Sequence, residues 1–206
     1  MQDLFLAGTD TTSKTMEWTM AELVKNPKEM EKVQAELRQI VGEHGRVTEE
    51  LLSTMTRPQA AIKKLYDCMH QCQCLSPARR SRTPSCMATI SQPRPGSSST
   101  RGRLAETKSH GRMHADAFTP ERFVHTNFDY SGKDFRFIPF GAGRRGCPGI
   151  GFGTRLAELA LANLLYHFDC ELPDDQDLES FEVVESSGLS PGLKYPLTLV
   201  SKTPQA

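Results

Sequence analysis

The chain has 206 residues, room for one good-sized domain or two small ones, and 25 lysines and arginines balance 25 aspartates and glutamates. A formal charge of zero excludes the long-range field that draws a protein to nucleic acid or an anionic membrane. The apolar share, 37%, is low enough to predict that part of the chain does not pack.

No basic leader precedes the short apolar start Leu4–Ala7. No run approaches the roughly 18 apolar residues of a spanning helix, so the chain as it stands reads as soluble. Six cysteines without a secretory signal predict reduced thiols rather than a disulfide framework.

Residues 2–25 read as a helix, with Leu4, Leu6, Met16, Met20 and Leu23 near helical spacing. Its middle, Gly8-Thr9-Asp10-Thr11-Thr12, sets five poor helix formers in a row. Such breaks in local rules concentrate at functional sites. Asn26-Pro27-Lys28-Glu29 restarts the helix: Asn26 is placed to cap, Pro27 to open and Glu29 to reach back. Met30, Val33, Leu37, Ile40 and Val41 mark one face, and Gly42 and Gly45 end it. Thr48-Glu49-Glu50-Leu51 predicts one more capped turn.

From Leu65 to Arg112 eight basic residues face only two acids, serine and proline are frequent, and no period holds. By composition this is a loop or a disordered segment. Order returns at Phe118, and Phe135–Phe140 is aromatic and apolar. Residues 150–168 predict a strong helix with Leu156, Leu159, Ala160, Leu164 and Leu165 on one face. Tyr195–Val200 predicts a terminal strand. The boundaries are therefore 1–63 helical, 64–113 structureless, and 114–206 ordered again.

The informative string is Phe140-Gly141-Ala142-Gly143-Arg144-Arg145-Gly146-Cys147-Pro148-Gly149, entering a helix. A cysteine just ahead of a helix sits among free backbone N–H groups, which favour thiolate. Glycines at 141, 143, 146 and 149 let a flat macrocycle approach the backbone. Pro148 opens the helix, and Arg144 and Arg145 offer forked donors to the carboxylate tails of haem. Thiolate ligation pushes electron density onto iron and favours O–O cleavage. A lone cysteine near a helix is more often a structural thiol, and a Gly/Arg turn also binds anions. The whole string carries the haem reading.

This string resembles the signature F-x-x-G-x-R-x-C-x-G of the cytochrome P-450 family, filled by Phe140, Gly143, Arg145, Cys147 and Gly149. The run Ile138–Gly149 most resembles plant members. Ala7-Gly8-Thr9-Asp10-Thr11-Thr12 is similar to the family's oxygen-activating [A/G]-G-x-[D/E]-T-[T/S], and Phe118-Thr119-Pro120-Glu121-Arg122-Phe123 to its P-E-R-F element. The resemblance covers residues 2–63 and 115–200, about seven tenths of the chain. It implies a mainly α fold: the C-terminal part of the family's architecture, with oxygen-activating helix, cysteine-ligand loop, following helix and a small terminal β element.

The resemblance also implies a haem-dependent monooxygenase that inserts one oxygen from O2 into an apolar small molecule, in plant secondary metabolism. Haem b is the cofactor, and electrons come from NADPH through a reductase partner. Cys147 is the axial ligand to the metal, Arg145 meets a propionate, and Phe140 lies on the cysteine side of the haem. Thr11 donates a hydrogen bond to the oxygen bound over iron, and Asp10 helps deliver protons. A hydroxyl bonded to its own backbone is the plainer reading of Thr11. Full-length members sit at the endoplasmic reticulum membrane. This chain, reading as a fragment without an anchor, is expected in the cytoplasm and is predicted not to turn over.

The family pairs the P-E-R-F arginine with an upstream Glu-x-x-Arg helix, expected after Ala61-Ile62-Lys63. The chain instead reads Lys64-Leu65-Tyr66-Asp67-Cys68-Met69-His70, which deprives Arg122 of that partner. Taking the third base of each codon with the first two of the next, residues 63–71 are compatible with Glu-Thr-Leu-Arg-Leu-His-Ala-Pro. Residues 100–107 permit Ala-Trp-Ala-Ile-Gly-Arg-Asp, also family-like. Residues 64–113 thus read as out of frame, with the frame restored near Met113. The alternative to an enzyme is accordingly a non-catalytic, pseudogene-like product with a basic disordered segment. A frame accident also explains the cluster Cys68, His70, Cys72, Cys74 and Cys86 better than a metal site does.

Overall fold

A computed structural model describes residues 2–75, 118–126, 128–134, 137–174, 176–178, 180–186 and 192–204. Helices dominate: α1 Gln2–Lys25, α2 Pro27–Val41, α3 Glu49–Leu52, α4 Thr56–Leu75, α5 Glu121–Val124 and α6 Ile150–His167. Single 3₁₀ turns occupy Gly42–His44 and Gly143–Arg145. Two short strands, β1 Asp169–Glu171 and β2 Val200–Lys202, pair antiparallel with Cys170 opposite Ser201.

α1 stays helical through its poor formers, with the threonine hydroxyls turned back onto the helix backbone. Thr11, Thr12, Thr15 and Thr19 each donate to the carbonyl one turn back, at 2.7–2.9 Å. Lys14 grips Asp10 at 2.8 Å across the same turn.

Between α1 and α2 the expected cap takes another form. The Asn26 side chain donates to the Glu22 carbonyl at 2.8 Å, closing the end of α1 rather than opening α2. Pro27 does start α2, but Glu29 is held by Lys32 instead of reaching back. The N-terminus of α4 is capped from a distance: Glu36 on α2 accepts from the backbone N–H groups of Thr56 (3.1 Å) and Arg57 (2.7 Å).

Met20 and Leu23 of α1, Val33, Leu37 and Val41 of α2, Ile62 of α4, and Leu161 and Leu165 of α6 form one buried core. Three sequence expectations shift here. α4 runs on to Leu75, so residues 64–75 are helical where composition pointed to loop. The stretch Lys64–Leu75 contains no glycine or proline, and its own propensity decides. The rest of the segment lies outside the described residues.

The buried face of α6 is Thr154, Ala157, Glu158, Leu161, Ala162 and Leu165, while Leu156 is exposed. Small residues sit where α1, α2 and α4 close on α6. The terminal strand begins at Val200, at the end of the expected span.

Glu158 lies in that buried face, 4.0 Å from Arg155. Burial holds its carboxyl above the usual carboxylate range, partly offset by Arg155 and Lys63. The folded chain therefore binds this proton more tightly than the unfolded chain does. Its cost is absent below the unfolded carboxylate value, grows as pH rises to the raised folded value, and is fully present above it. Glu158→Gln is expected to raise the thermal midpoint at pH 7 and leave it unchanged near pH 4. Melting curves at the two pH values check this.

Candidate haem-thiolate site

The cysteine loop is built by turns that only glycine adopts freely. Gly141 and Gly143 have φ of +82° and +72°. The Cys147 N–H donates to the Phe140 carbonyl at 2.9 Å, and Gly146 N–H to Gly143 O at 3.1 Å. This winding leaves Cys147 half-buried, three residues ahead of α6, with Gly149 as the N-terminal cap residue.

The residues present fit a thiolate-ligated macrocycle. One sulfur stands at a helix start among small neighbours, and a Cβ added at Gly149 would lie 3.8 Å from Cys147 Sγ. Cβ atoms at Gly143 and Gly151 would meet nothing within 4 Å. Arg144 is exposed; the Arg145 side chain lies outside the described atoms.

The oxygen-activating segment reaches the same region. Thr12 Oγ1 lies 3.8 Å from where a Cβ on Gly153 would project, so the middle of α1 meets the first turn of α6. Thr11 donates to Ala7 O at 2.7 Å, the local bond its sequence allowed, and Asp10 pairs with Lys14.

The structure also brings in residues that the sequence did not single out. Tyr66 of α4 sets its ring edge-on to Phe140 (5.0 Å between centroids) and to Tyr130 (6.0 Å), with its hydroxyl 3.3 Å from Thr15 Oγ1. Burial raises the Tyr66 phenol above its ordinary value, the hydrogen bond to Thr15 pulls it back, and the nearby Cys147 adds to the rise. The Tyr130 hydroxyl is buried with no hydrogen-bond partner among the described residues, and this burial holds the phenol well above its usual value.

Gly132 has φ +73°, and a Cβ there would overlap the Gly141 carbonyl oxygen and come within 3.0 Å of Ala142 Cα. Arg122 is not left without a partner: its Nη1 donates to Asp67 Oδ2 at 3.2 Å. The side chains of Cys68, His70, Cys72 and Cys74, and all of Cys86, lie outside the described residues.

The head of α6 thus carries one half-buried cysteine, with the threonine-rich α1 against its first turn. The model of the family "Cytochrome P450" matches residues 1–64 and 113–197. The chain is 41% identical over 200 residues to "Cytochrome P450 71A1" of Persea americana, 39% over 202 to a "3-beta-hydroxylase" of Tanacetum parthenium, and 36% over 198 to a "Costunolide synthase" of Lactuca sativa. These alignments take in 96–97% of this chain and 40% of each relative. The chain belongs to the cytochrome P450 family, is similar to plant members, and spans about two fifths of their length.

Proposed function

We propose that the chain forms the haem-ligating end of a haem-dependent monooxygenase, with Cys147 as the axial ligand. The observation that carries this is the half-buried sulfur at the head of α6, fixed by the bond from its own N–H to Phe140 O and flanked by glycines. When bound, the haem iron supplies reductive activation of O2 for insertion into an apolar small molecule.

Each named residue has a task. Gly143 and Gly149 admit the macrocycle, Phe140 packs on the cysteine side, and Arg145 pairs with a propionate. The Thr11 proton is engaged with Ala7 O, so a donor role requires the hydroxyl to turn away from that carbonyl. Asp10, held by Lys14, is the carboxylate next to it in the chain for moving a proton.

NADPH electrons would arrive through a reductase. The chemistry named in two relatives, a 3-beta-hydroxylase and a costunolide synthase, supports plant secondary metabolism as the setting. No helix among the described residues is long and apolar enough to cross a membrane. The endoplasmic reticulum is the proposed site of the full-length protein.

The test is the reduced carbon-monoxide difference spectrum of the chain reconstituted with haem. A thiolate-type Soret band is the expected result; haem uptake without one would overturn the assignment of Cys147.

One observation favours a second reading, a non-catalytic product. The family match stops at residue 64 and resumes at 113, the bounds within which the shifted frame spells family-like strings. On this reading residues 64–113 come from an out-of-frame stretch, and the chain forms no product even with a reductase present. Transcript and genomic sequence across this stretch are expected to contain paired insertions or deletions, or a misplaced exon boundary. An intact transcript encoding these residues in frame would remove the reading.

A further inference from the structure

We propose that Tyr66 is a positioning residue, the hydrogen-bond donor that fixes the threonine-rich α1 against the cysteine loop; the link to haem rests on the function proposed above. Tyr66 lies where three elements meet. It belongs to α4, its hydroxyl reaches Thr15 of α1, and its ring meets Phe140 at the start of the cysteine loop.

The number of protons fixes the direction of the hydroxyl contact. A threonine hydroxyl has one proton, and Thr15 donates it to the Thr11 carbonyl at 2.9 Å. In the 3.3 Å contact between Thr15 Oγ1 and the Tyr66 hydroxyl, the phenol is therefore the donor and the threonine oxygen the acceptor. The bonds run one way, from Tyr66 to Thr15 to the backbone of Thr11. Each bond in such a chain polarises the next. Thr15 is only 3% exposed, so water is a poor substitute for the phenol at its oxygen.

The ring carries the other half of the link. Tyr66 stands edge-on to Phe140 and to Tyr130, and Tyr130 stands edge-on to Phe140 at 5.5 Å between centroids. Edge-to-face pairs depend on ring angle, so the bond that anchors the phenol at Thr15 also sets the surface on which Phe140 rests. The Phe140 carbonyl in turn receives the Cys147 N–H. A Tyr66 ring released at its hydroxyl end is therefore felt at the backbone of the sulfur-bearing turn. One side chain thus sets α1, with Thr11 on it, relative to Cys147.

The test uses the full haem-free chain and reads hydrogen exchange at the Cys147 amide, resolved by fragmentation in the mass spectrometer. Tyr66→Phe keeps the ring and removes the donor; it is expected to speed exchange about threefold to tenfold through local opening. Thr15→Val removes the acceptor on α1 and is expected to act in the same direction. The double variant should exchange no faster than the faster single variant, because both remove one interaction. Thr15→Ser keeps the hydroxyl and should stay near the starting rate. Thr19→Val is the control: Thr19 is buried on the same helix, and its hydroxyl bonds the Thr15 carbonyl at 2.7 Å. Its exchange at Cys147 should stay within about twofold of the starting rate.

An unchanged rate in Tyr66→Phe, equal acceleration in Thr19→Val, or a double variant whose acceleration is the product of the two singles would overturn the proposal. Reconstitution with haem separates the two claims. The fraction of haem showing a thiolate-type band is expected to fall in Tyr66→Phe and to be kept in Thr15→Ser; a band undiminished in Tyr66→Phe would also overturn the positioning role. The exchange pattern with no such band in the unsubstituted chain keeps the link between α1 and the loop and removes the haem assignment.

Discussion

Cys147→Ser is expected to abolish the thiolate-type Soret band completely while leaving the fold nearly unchanged. The asymmetry follows from where the sulfur sits. Its backbone N–H bond to Phe140 O does not involve the side chain, so the turn survives the substitution. The side chain is only half-buried, and exchanging sulfur for oxygen there should cost under about 0.5 kcal/mol. The chemistry does not survive. A sulfur ligand is soft and suits haem iron, whereas a serine hydroxyl keeps its proton and is a poor soft ligand. Difference spectra and urea midpoints of the two proteins, side by side, test both halves. A retained thiolate-type band in the serine variant would exclude Cys147 as the ligand, and a large drop in the urea midpoint would mean that the sulfur also packs the loop.

What the sequence made legible depends on how local the cause is. α1 and α6 were readable to within a residue at either end, because apolar spacing and proline or glycine punctuation act within a few residues. The turn ahead of α6 was readable because Gly141, Gly143, Gly146, Pro148 and Gly149 punctuate it within ten residues. Orientation was less legible. Hydropathy ranks Leu156 above Ala157, yet close helix packing buries the alanine and leaves the leucine at the surface. Asn26 looked like the opening of α2 because the motif is directional in sequence, but its amide found the free carbonyl behind it.

The longest-range features were the least visible. The α4 carboxylate that meets Arg122 lies 55 positions upstream, in a stretch whose average composition hid twelve helical residues. Arg122 therefore read as an arginine without its partner. Glu36 as the cap of α4, 20 residues ahead of Thr56, left no local mark either. Phe5, Leu6 and Phe152 are large apolar side chains left at 73–79% exposure, which no local pattern marked.

Gly132→Ala is expected to be the most damaging small substitution near the cysteine loop, although nothing in the sequence distinguishes Gly132 from an ordinary turn glycine. Two separate costs fall on it. Its φ of +73° is a region where a Cβ is unfavourable by roughly 1–2 kcal/mol. The new methyl would also overlap the Gly141 carbonyl oxygen and crowd Ala142, and backbone atoms held by the loop's own hydrogen bonds yield only at the cost of overpacking, about 1–3 kcal/mol. The sum, roughly 2–5 kcal/mol, is to be read from urea denaturation. Gly45→Ala isolates the first cost, since its φ is +69° and a Cβ there meets nothing within 4 Å. Gly143→Ala shares that conformational cost at +72° and equally open space, so its stability loss should match Gly45→Ala. The difference between them lies in function. Gly143 sits where the macrocycle is proposed to approach, so Gly143→Ala should weaken haem uptake while Gly45→Ala leaves it intact. Equal stability losses at all three positions would mean that Gly132 and the cysteine loop are not in close contact in solution.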